Sequence, residues 1–561
     1  MKKFLLLPLF TLILFSSCSN ESNSDLFLHA EGHDMVNGKG EKVFLRGVGL
    51  GNWLLPEGYM WKFGNNGDRP RKIEKIIADH IGQEKADEFW KEFRKNYITE
   101  ADIKKIAELG YNSVRPALNA RVFMSETAPY DFIDEGFELL DNLIKWCKKY
   151  NIYVIIDMHG APGGQTGRNI DDSPNEQPEL FMDPKNMDLL EKLWVEIAKR
   201  YKDEPIVAAY DLLNEPLPEA GPEGPAAQYK HMLVPVYERL IKAIREVDKK
   251  HMFTLEGYNW SNNWSEFTKA LDDNMFFQFH YYCWDNPDNL NDISQFIKKR
   301  EELNTPIWVG ETGERNTGIY FATSQYFLKN NVGWSFWPWK KMDTSNTPYS
   351  IKLPDGWGDI VAYSRNAESP KNPNAQKIFD ELLENIKIEN CVFFPDVVNS
   401  MLCRLPLKLE AENYGHDGYQ KSFYVTDTQT MSSTYRKREP VQIELIYRAI
   451  EEDQSQSPTQ GQEGRRNRPL TEGQALILSE GEWVVYNIES DKSVAYNVVM
   501  RVSGTGTLNL SVNGDKVSTD VSEAGWTEVK ITPMNFKTGE NEIKAETISG
   551  EIKIDWFDIS L

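Results

Sequence analysis

Between residues 43 and 340 the chain repeats one pattern eight times: a short apolar, β-branched run, most of them followed by a longer amphipathic stretch. The runs are Val43–Gly49, Ser113–Leu118, Tyr153–His159, Val207–Asn214, Met252–Tyr258, Met275–Tyr282, Pro306–Thr312 and Gly333–Trp337. Strands that read as near-continuous apolar runs are buried on both faces, the situation of a parallel sheet covered by helices. The helical spacing is explicit at Asp183-Pro184, a capping residue and a first-turn proline. Met187, Leu190, Trp194, Ile197 and Tyr201 then recur at three- and four-residue steps. Asp134 likewise precedes Phe137, Leu140, Ile144 and Cys147. Eight such units predict an α/β fold, a closed (β/α)8 TIM barrel. An open doubly wound sheet is the alternative, but no Gly-rich phosphate loop follows the first run.

Barrels of this kind carry reactive groups at the C-terminal ends of their strands. Those ends hold Arg115, His159, Asn214 with Glu215, His280 with Tyr282, Glu311 and Trp337. Two carboxylic acids at the ends of the fourth and seventh strands would face each other across the barrel mouth. A glycosidic bond needs such a pair, one acid to protonate the leaving oxygen and one carboxylate to attack or to activate water. Most of the 85 acidic residues belong to solvated surface. Glu215 after Leu-Leu-Asn and Glu311 after Trp-Val-Gly stand in apolar surroundings instead. Asp157 and Asp211 read as hydrogen-bonding groups of the barrel interior. Glu256 is placed to touch a substrate, though nothing assigns it a role. Trp53, Trp260, Trp284 and Trp339 fit sugar stacking and plain packing equally well.

These residues resemble glycoside hydrolase family 5 in Asn214-Glu215-Pro216, in the His280-x-Tyr282 step, in Glu311 closing the seventh run, and in Trp334 with Trp337. Within that cellulase-like family the nearer likeness is to secreted exo-β-1,3-glucanases. It is carried by Leu45-Arg46-Gly47-Val48-Gly49-Leu50-Gly51-Asn52-Trp53-Leu54, by Tyr97-Ile98-Thr99-Glu100-Ala101-Asp102, and by Asp157 through Gln165. The resemblance implies a retaining enzyme with Glu215 as general acid/base and Glu311 as nucleophile. It further implies that Arg115 keeps Glu311 ionised, that Tyr282 hydrogen-bonds Glu311, and that Asn214 grips the sugar 2-hydroxyl. His159 and His280 would bind sugar or carboxylate, and Trp337 would floor the cleaved sugar's subsite. The expected substrate is a β-glucan, β-1,3- or β-1,4-linked, with no cofactor for catalysis. Mannan, xylan, a small β-glucoside, or a non-catalytic glycan-binding lipoprotein are the other readings.

The remaining chain organises around this barrel. Lys2 and Lys3, the apolar run from Phe4 to Phe15, and Ser16-Ser17-Cys18 make a secretory signal resembling that of bacterial lipoproteins. The expectation is therefore export and lipid anchoring at the bacterial cell envelope, with signal 1–18, tether 19–30, barrel 31–390, linker 391–408 and a β-sandwich at 409–561. That last segment has short alternating runs of Val, Ile, Thr and Tyr with turn signals such as Asn513-Gly514, an all-β pattern. Residues 451–473, biased to Gln, Ser, Gly, Pro and Arg, read as a loop within it. Its ends, Leu409 through Tyr414 and Ile554-Asp555-Trp556-Phe557, resemble carbohydrate-binding modules of families 6 and 35. That likeness implies a structural calcium on Glu410, Glu412 and Asp555, and makes Trp483, Tyr486 and Trp526 candidates for a sugar platform. A net charge of −22 repels nucleic acid and anionic headgroups, leaving a neutral polysaccharide or oligosaccharide as the fitting partner. The membrane is touched only through the lipid anchor. Cys391 and Cys403 fit either a bridge or separate buried thiols.

Overall fold

The computed structural model describes residues 27–218, 224–284, 290–447, 472–522 and 524–561. The signal, Cys18 and most of the 451–473 segment lie outside the described residues. The chain opens with a hairpin of β1 (His29–Glu31) and β2 (Asp34–Val36). Eight parallel strands follow: β3 (Arg46–Leu50), β4 (Ser113–Asn119), β5 (Tyr153–Gly160), β6 (Val207–Asp211), β7 (Met252–Glu256), β8 (Met275–Tyr281), β9 (Ile307–Gly313) and β10 (Gly333–Trp337). They hydrogen-bond in chain order, and β10 pairs with β3 to close the barrel. The eightfold repeat in the sequence is thus one closed sheet. Between strands, the helix Pro184–Tyr201 begins as expected: Asp183 caps it by accepting from the Lys185 amide at 3.0 Å, with Pro184 in the first turn.

The barrel floor corrects the expected tether. Phe27 and Leu28 are buried, and the β1–β2 hairpin lies across the N-terminal end of the barrel. There Leu28 and Met35 pack with Ile155, Ala208, Met252, Phe276 and Trp308, so the ordered fold begins before residue 31. The apolar ends of five strands need such a cover.

The expected linker at 391–408 is also part of the fold. A three-stranded sheet of β11 (Lys340–Met342), β12 (Tyr349–Ile351) and β13 (Val392–Phe393) precedes the buried helix Pro395–Met401. Val397, Val398 and Met401 belong to the barrel's own core, and this burial removes any freedom a linker would have. The four cysteines among the described residues, Cys147, Cys283, Cys391 and Cys403, are free thiols.

The C-terminal domain contains β14 (Leu407–Glu410), β15 (Phe423–Tyr424), β16 (Gln442–Tyr447), β17 (Glu472–Ser479), β18 (Trp483–Ser490), β19 (Val494–Val512), β20 (Asp515–Val521), β21 (Thr527–Phe536) and β22 (Gly539–Ser560). All pair antiparallel, and β14 pairs with β22, so the first and last strands lie side by side. Alternating residues such as Tyr496, Val498, Met500 and Val502 fill one core. Phe321, from the barrel helix Thr317–Lys329, inserts into that core.

The expected calcium ligands fall near this first–last strand pair. Asp555 is fully buried and accepts a hydrogen bond from the Arg501 guanidinium. Among the described residues, Glu410, Glu412 and Asp555 do not form a set of ligand atoms within 4.8 Å of one another. With a cation already on Asp555, the residues present do not fit a calcium ion. Tyr486 is buried with its hydroxyl on the Ala411 carbonyl, so it offers no surface to a sugar. Trp483 lies between the Tyr424 ring and the Lys544 ammonium, and Trp526 lies under Arg501. Lys553 is held by Glu444 at 2.7 Å.

Candidate active site

Six barrel strands, β4 to β9, contribute to one buried cluster of charge. Arg115, completely buried near the middle of β4, is its hub. Its guanidinium donates to Asp211 Oδ2 at 2.8 Å, Glu311 Oε1 at 2.7 Å, Asn214 Oδ1 at 2.7 Å and Glu256 Oε1 at 3.1 Å. Asp157 Oδ2 lies 3.3 Å away. A planar fork with five N–H donors suits several acceptors at once, which an ammonium group would not.

Glu215 and Glu311 meet across this hub. One carboxylate oxygen of each, together with a ring nitrogen of His280, lie within 4.8 Å of one another. Glu311 lies near the end of β9, where Tyr282 donates its hydroxyl to Oε2 at 2.8 Å. Glu215 follows β6 in a left-handed backbone conformation, φ 41°, uncommon for a residue with a side chain. Its Oε1 lies 2.6 Å from His280 Nδ1, which is also 3.4 Å from Glu311 Oε2. A register shift between Phe279 and His280 in the β8–β9 pairing sets His280 opposite Glu311.

Five carboxyl groups (Asp157, Asp211, Glu215, Glu256 and Glu311) thus surround two cationic groups, Arg115 and His280. Not all five can stay charged without water. Burial lifts Asp157 to about 7 against the pull of Arg115, and lifts Asp211 well above the carboxylate range. Burial also raises Glu311, with His280 and Arg115 pulling it back, so Arg115 tempers the nucleophile candidate without holding it low. Burial opposes the charge on His280 as well, but Glu256, Glu311 and Glu215 press its value well above that of an ordinary histidine. The surrounding carboxylates thus favour the imidazolium form of His280. His159 goes the other way: burial brings it down to about 4, so it is neutral.

The other expected residues fall at different distances from the pair. His159 binds Asp157 at 2.8 Å and stacks on Trp337, ring centroids 5.2 Å apart and planes 9° from parallel. Asn214 is wholly buried, its amide nitrogen 3.4 Å from His159 Nε2. Trp337 donates its indole N–H to Tyr59 at 3.1 Å. Of the four further tryptophans, Trp284 stacks on Tyr282 beside the site, whereas Trp53 and Trp339 are core residues. Trp260 is half-buried.

Four residues were missed or left unassigned by reading strand ends. Glu57 and Tyr59 come from the loop after β3. Glu57 is buried with Oε1 lacking a hydrogen-bond partner, and burial, reinforced by Glu311 and Glu314, raises its carboxyl well above the usual range. A protonated acid there can donate to a ligand hydroxyl. Glu57 interrupting the apolar run Leu54-Leu55-Pro56 and Gly58-Tyr59-Met60-Trp61 was the available signal. Glu314, ion-paired to Lys341 at 2.9 Å, lies in the turn just past β9. Glu256, at the end of β7, is fully buried.

The chain from 79 to 343 matches the model of the cellulase family, glycosyl hydrolase family 5. The barrel is a family 5 domain. The protein is accordingly a glycoside hydrolase. This glycoside hydrolase is 26% identical over 404 residues to a β-xylosidase of Phanerodontia chrysosporium, an overlap of 65% of this chain and 82% of that one. It is 30% identical over 250 residues to endoglucanase C of Acetivibrio thermocellus, 44% of this chain and 66% of the relative. It is also 27% identical over 289 residues to the probable glucan 1,3-beta-glucosidase A of Aspergillus clavatus, 50% of this chain and 66% of the relative. The last two overlaps span about two thirds of those relatives' lengths.

Proposed function

We propose that the enzyme is a retaining β-glycosidase that hydrolyses a β-glucan by double displacement on Glu215 and Glu311. The observation that carries this is the approach of the two carboxyl groups, with oxygens inside a 4.8 Å cluster at the barrel mouth. Inverting enzymes separate their carboxyls by roughly 6.5–9.5 Å to admit a water between acid and sugar, whereas retaining ones hold them about 5–5.5 Å apart. The shorter spacing favours direct attack by one carboxylate on the anomeric carbon.

In this reading Glu311 attacks that carbon as Glu215 delivers a proton to the leaving oxygen. The glycosidic C–O bond breaks and a glycosyl ester forms on Glu311. Glu215, now a carboxylate, takes a proton from water, which attacks the same carbon and frees Glu311. Tyr282 fits the role of steadying Oε2 of Glu311, because its own proton is held firmly: burial and the neighbouring Glu311 raise it well above 10. Arg115 neutralises the charge that returns to Glu311 when the ester is cleaved. The names of the relatives, endoglucanase and glucan 1,3-beta-glucosidase, favour a β-glucan, and the β-xylosidase relative favours a xyloside as the second reading.

The test is hydrolysis of linkage-defined β-1,3- and β-1,4-glucans and of xylan by the parent, Glu215→Ala and Glu311→Ala. Each variant should lose at least about a thousandfold in kcat, the scale seen when a residue of a catalytic unit is removed. Azide should restore turnover of activated substrates to Glu215→Ala only, since an external anion can replace the missing base in the second step. Parent-like hydrolysis by either variant would falsify the assignment, and product release with inverted configuration would rule out double displacement.

A further inference from the structure

Glu256 sits at the end of β7 with no exposed surface, yet it touches three members of the site from beneath. Its Oε2 accepts the backbone N–H of Glu215 at 2.7 Å. Its Oε1 accepts from Arg115 at 3.1 Å and lies 3.4 Å from His280 Nε2. We propose that Glu256 is a positioning residue for proton transfer: it anchors the backbone of Glu215 and supplies the fixed negative charge that keeps His280 a donor to Glu215. The proposal rests on Glu215 being the acid/base of the reaction.

Two separate needs at Glu215 converge on this one side chain. The first is conformational. A glutamate at φ 41° is held in a sparsely populated region, which persists only where surrounding contacts over-determine it. The bond from the Glu215 amide to a buried carboxylate is charge-assisted, and such bonds are the strong ones.

The second need is electrostatic. His280 faces Glu215 beyond β6, Glu256 on β7, Glu311 on β9 and, farther off, Asp157 on β5, with Arg115 on β4 as the opposing cation. Asp157 and Asp211 are shifted toward their neutral forms by burial, and Glu311 loses its charge once it carries the sugar. Glu215 changes charge twice in each cycle. Glu256 is held below the ordinary glutamate value, against burial, by His280, Arg115 and the Glu215 amide, and it takes no part in the bond changes of the cycle.

The consequence is a proton address. While His280 is an imidazolium, Nδ1–H occupies Oε1 of Glu215 at 2.6 Å. The transferable proton of Glu215 must then lie on Oε2. It leaves Oε2 for the glycosidic oxygen as that C–O bond breaks, and returns there from water in the second step. If His280 were neutral, Nδ1 would be free to accept that proton itself and divert it from the substrate.

The experiment is Glu256→Gln in the full chain, isosteric but uncharged, with Glu256→Asp as its companion. Glu256→Gln should lower kcat by about tenfold or more, within the span typical of general acid–base contributions, with KM changed less than about twofold. The alkaline limb of its kcat–pH profile should move to lower pH by about one unit, as His280 relaxes toward the ordinary histidine value of about 6.5. In nitrogen-labelled protein the His280 imidazolium signal, identified by its loss in His280→Asn, should vanish above neutrality in Glu256→Gln and persist in the parent. Glu256→Asp keeps the charge but shortens the reach, so it should retain the imidazolium and the parent pH profile while kcat falls.

A parent pH profile with a persistent imidazolium in Glu256→Gln overturns the proposal. So does a raised KM at unchanged kcat, which would make Glu256 a substrate contact. Should Glu256→Gln fail to fold, parent kcat in Glu256→Asp overturns the anchoring role. An unaffected Glu256→Gln beside an inactive Glu215→Ala defeats this inference alone, whereas activity in Glu215→Ala defeats the functional reading beneath it.

Discussion

Asp248 shows how a single buried side chain ties stability to pH at the opposite end of the barrel from the chemistry. Its carboxylate accepts from Tyr210 at 2.7 Å, from the Lys250 amide at 2.8 Å, and faces His251 Nδ1 at 2.6 Å. Burial works against its charge, but the bond and charge of His251 with these other donors bring the carboxyl down to about 2. A folded value below the unfolded one, about 3.9, means the folded state binds this proton less readily than the unfolded state. The stabilisation is therefore present above about pH 4 and is lost as pH falls toward 2, about 2 kcal/mol over that window. Urea unfolding between pH 5 and 2.5 should show that loss in the parent, and Asp248→Asn should flatten the corresponding part of the slope. An identical slope in both proteins would remove Asp248 from the account. At this scale the strand ends were legible in the sequence, since Glu215, Glu311, His280 and Tyr282 all stand in the charge cluster, which Arg115 joins from the middle of β4 rather than from its end. Glu57 was not, because a loop residue's distance from a strand's end depends on how the loop folds back.

Among the elements, β3 and β10 illustrate why the first strand carries so much glycine. A Cβ on Gly49 would lie 2.3 Å from the Trp337 ring, and one on Gly51 would lie 2.6 Å from it. The first strand and its following turn thus present a bare track on which the indole at the end of the last strand rests, part of the seam where the barrel closes. Gly49→Ala should therefore displace Trp337 or the strand. The expected outcome is a loss of about 1–3 kcal/mol in thermal or denaturant unfolding, the usual cost of overpacking, together with a KM raised several-fold. Parent-like unfolding and KM would show that the ring has room to move. The glycine run was visible in the sequence as a likeness to other proteins. Its physical reason was not, because the atom it avoids lies 288 positions away along the chain.

Across the whole molecule, the barrel and the all-β domain share side chains. Phe321 leaves the helix Thr317–Lys329 and is buried in the C-terminal core, while Gln325 of the same helix donates to the Asn487 carbonyl at 3.0 Å. Asn413 reaches the Gly318 carbonyl at 3.4 Å. Leu290, in the segment after β8, packs against both cores. Shared burial couples the two units, so heating should give one cooperative transition. Phe321→Ala should cost about 3–5 kcal/mol and separate that transition into two in calorimetry. A single, unshifted transition in the variant would show that Phe321 couples nothing. The segment at 391–408 belongs to the same lesson. Its mixed sequence reads as a connector, yet neighbours distant in the chain bury Val397, Val398 and Met401.

Periodicity and strand-end chemistry, both properties of neighbouring residues along the chain, were enough to determine the barrel, the all-β domain and the candidate pair at 215 and 311. Burial is different: it depends on what arrives from elsewhere, and only the tertiary structure could decide it. Desolvation makes Asp157 and Asp211 poor anions and His159 a neutral ring, whereas the carboxylates around His280 raise it against burial, and His280 with Arg115 keeps Glu256 low against burial. A carboxyl group has the same formula everywhere in a sequence, and the dielectric and the counter-charges around it exist only once the chain has closed.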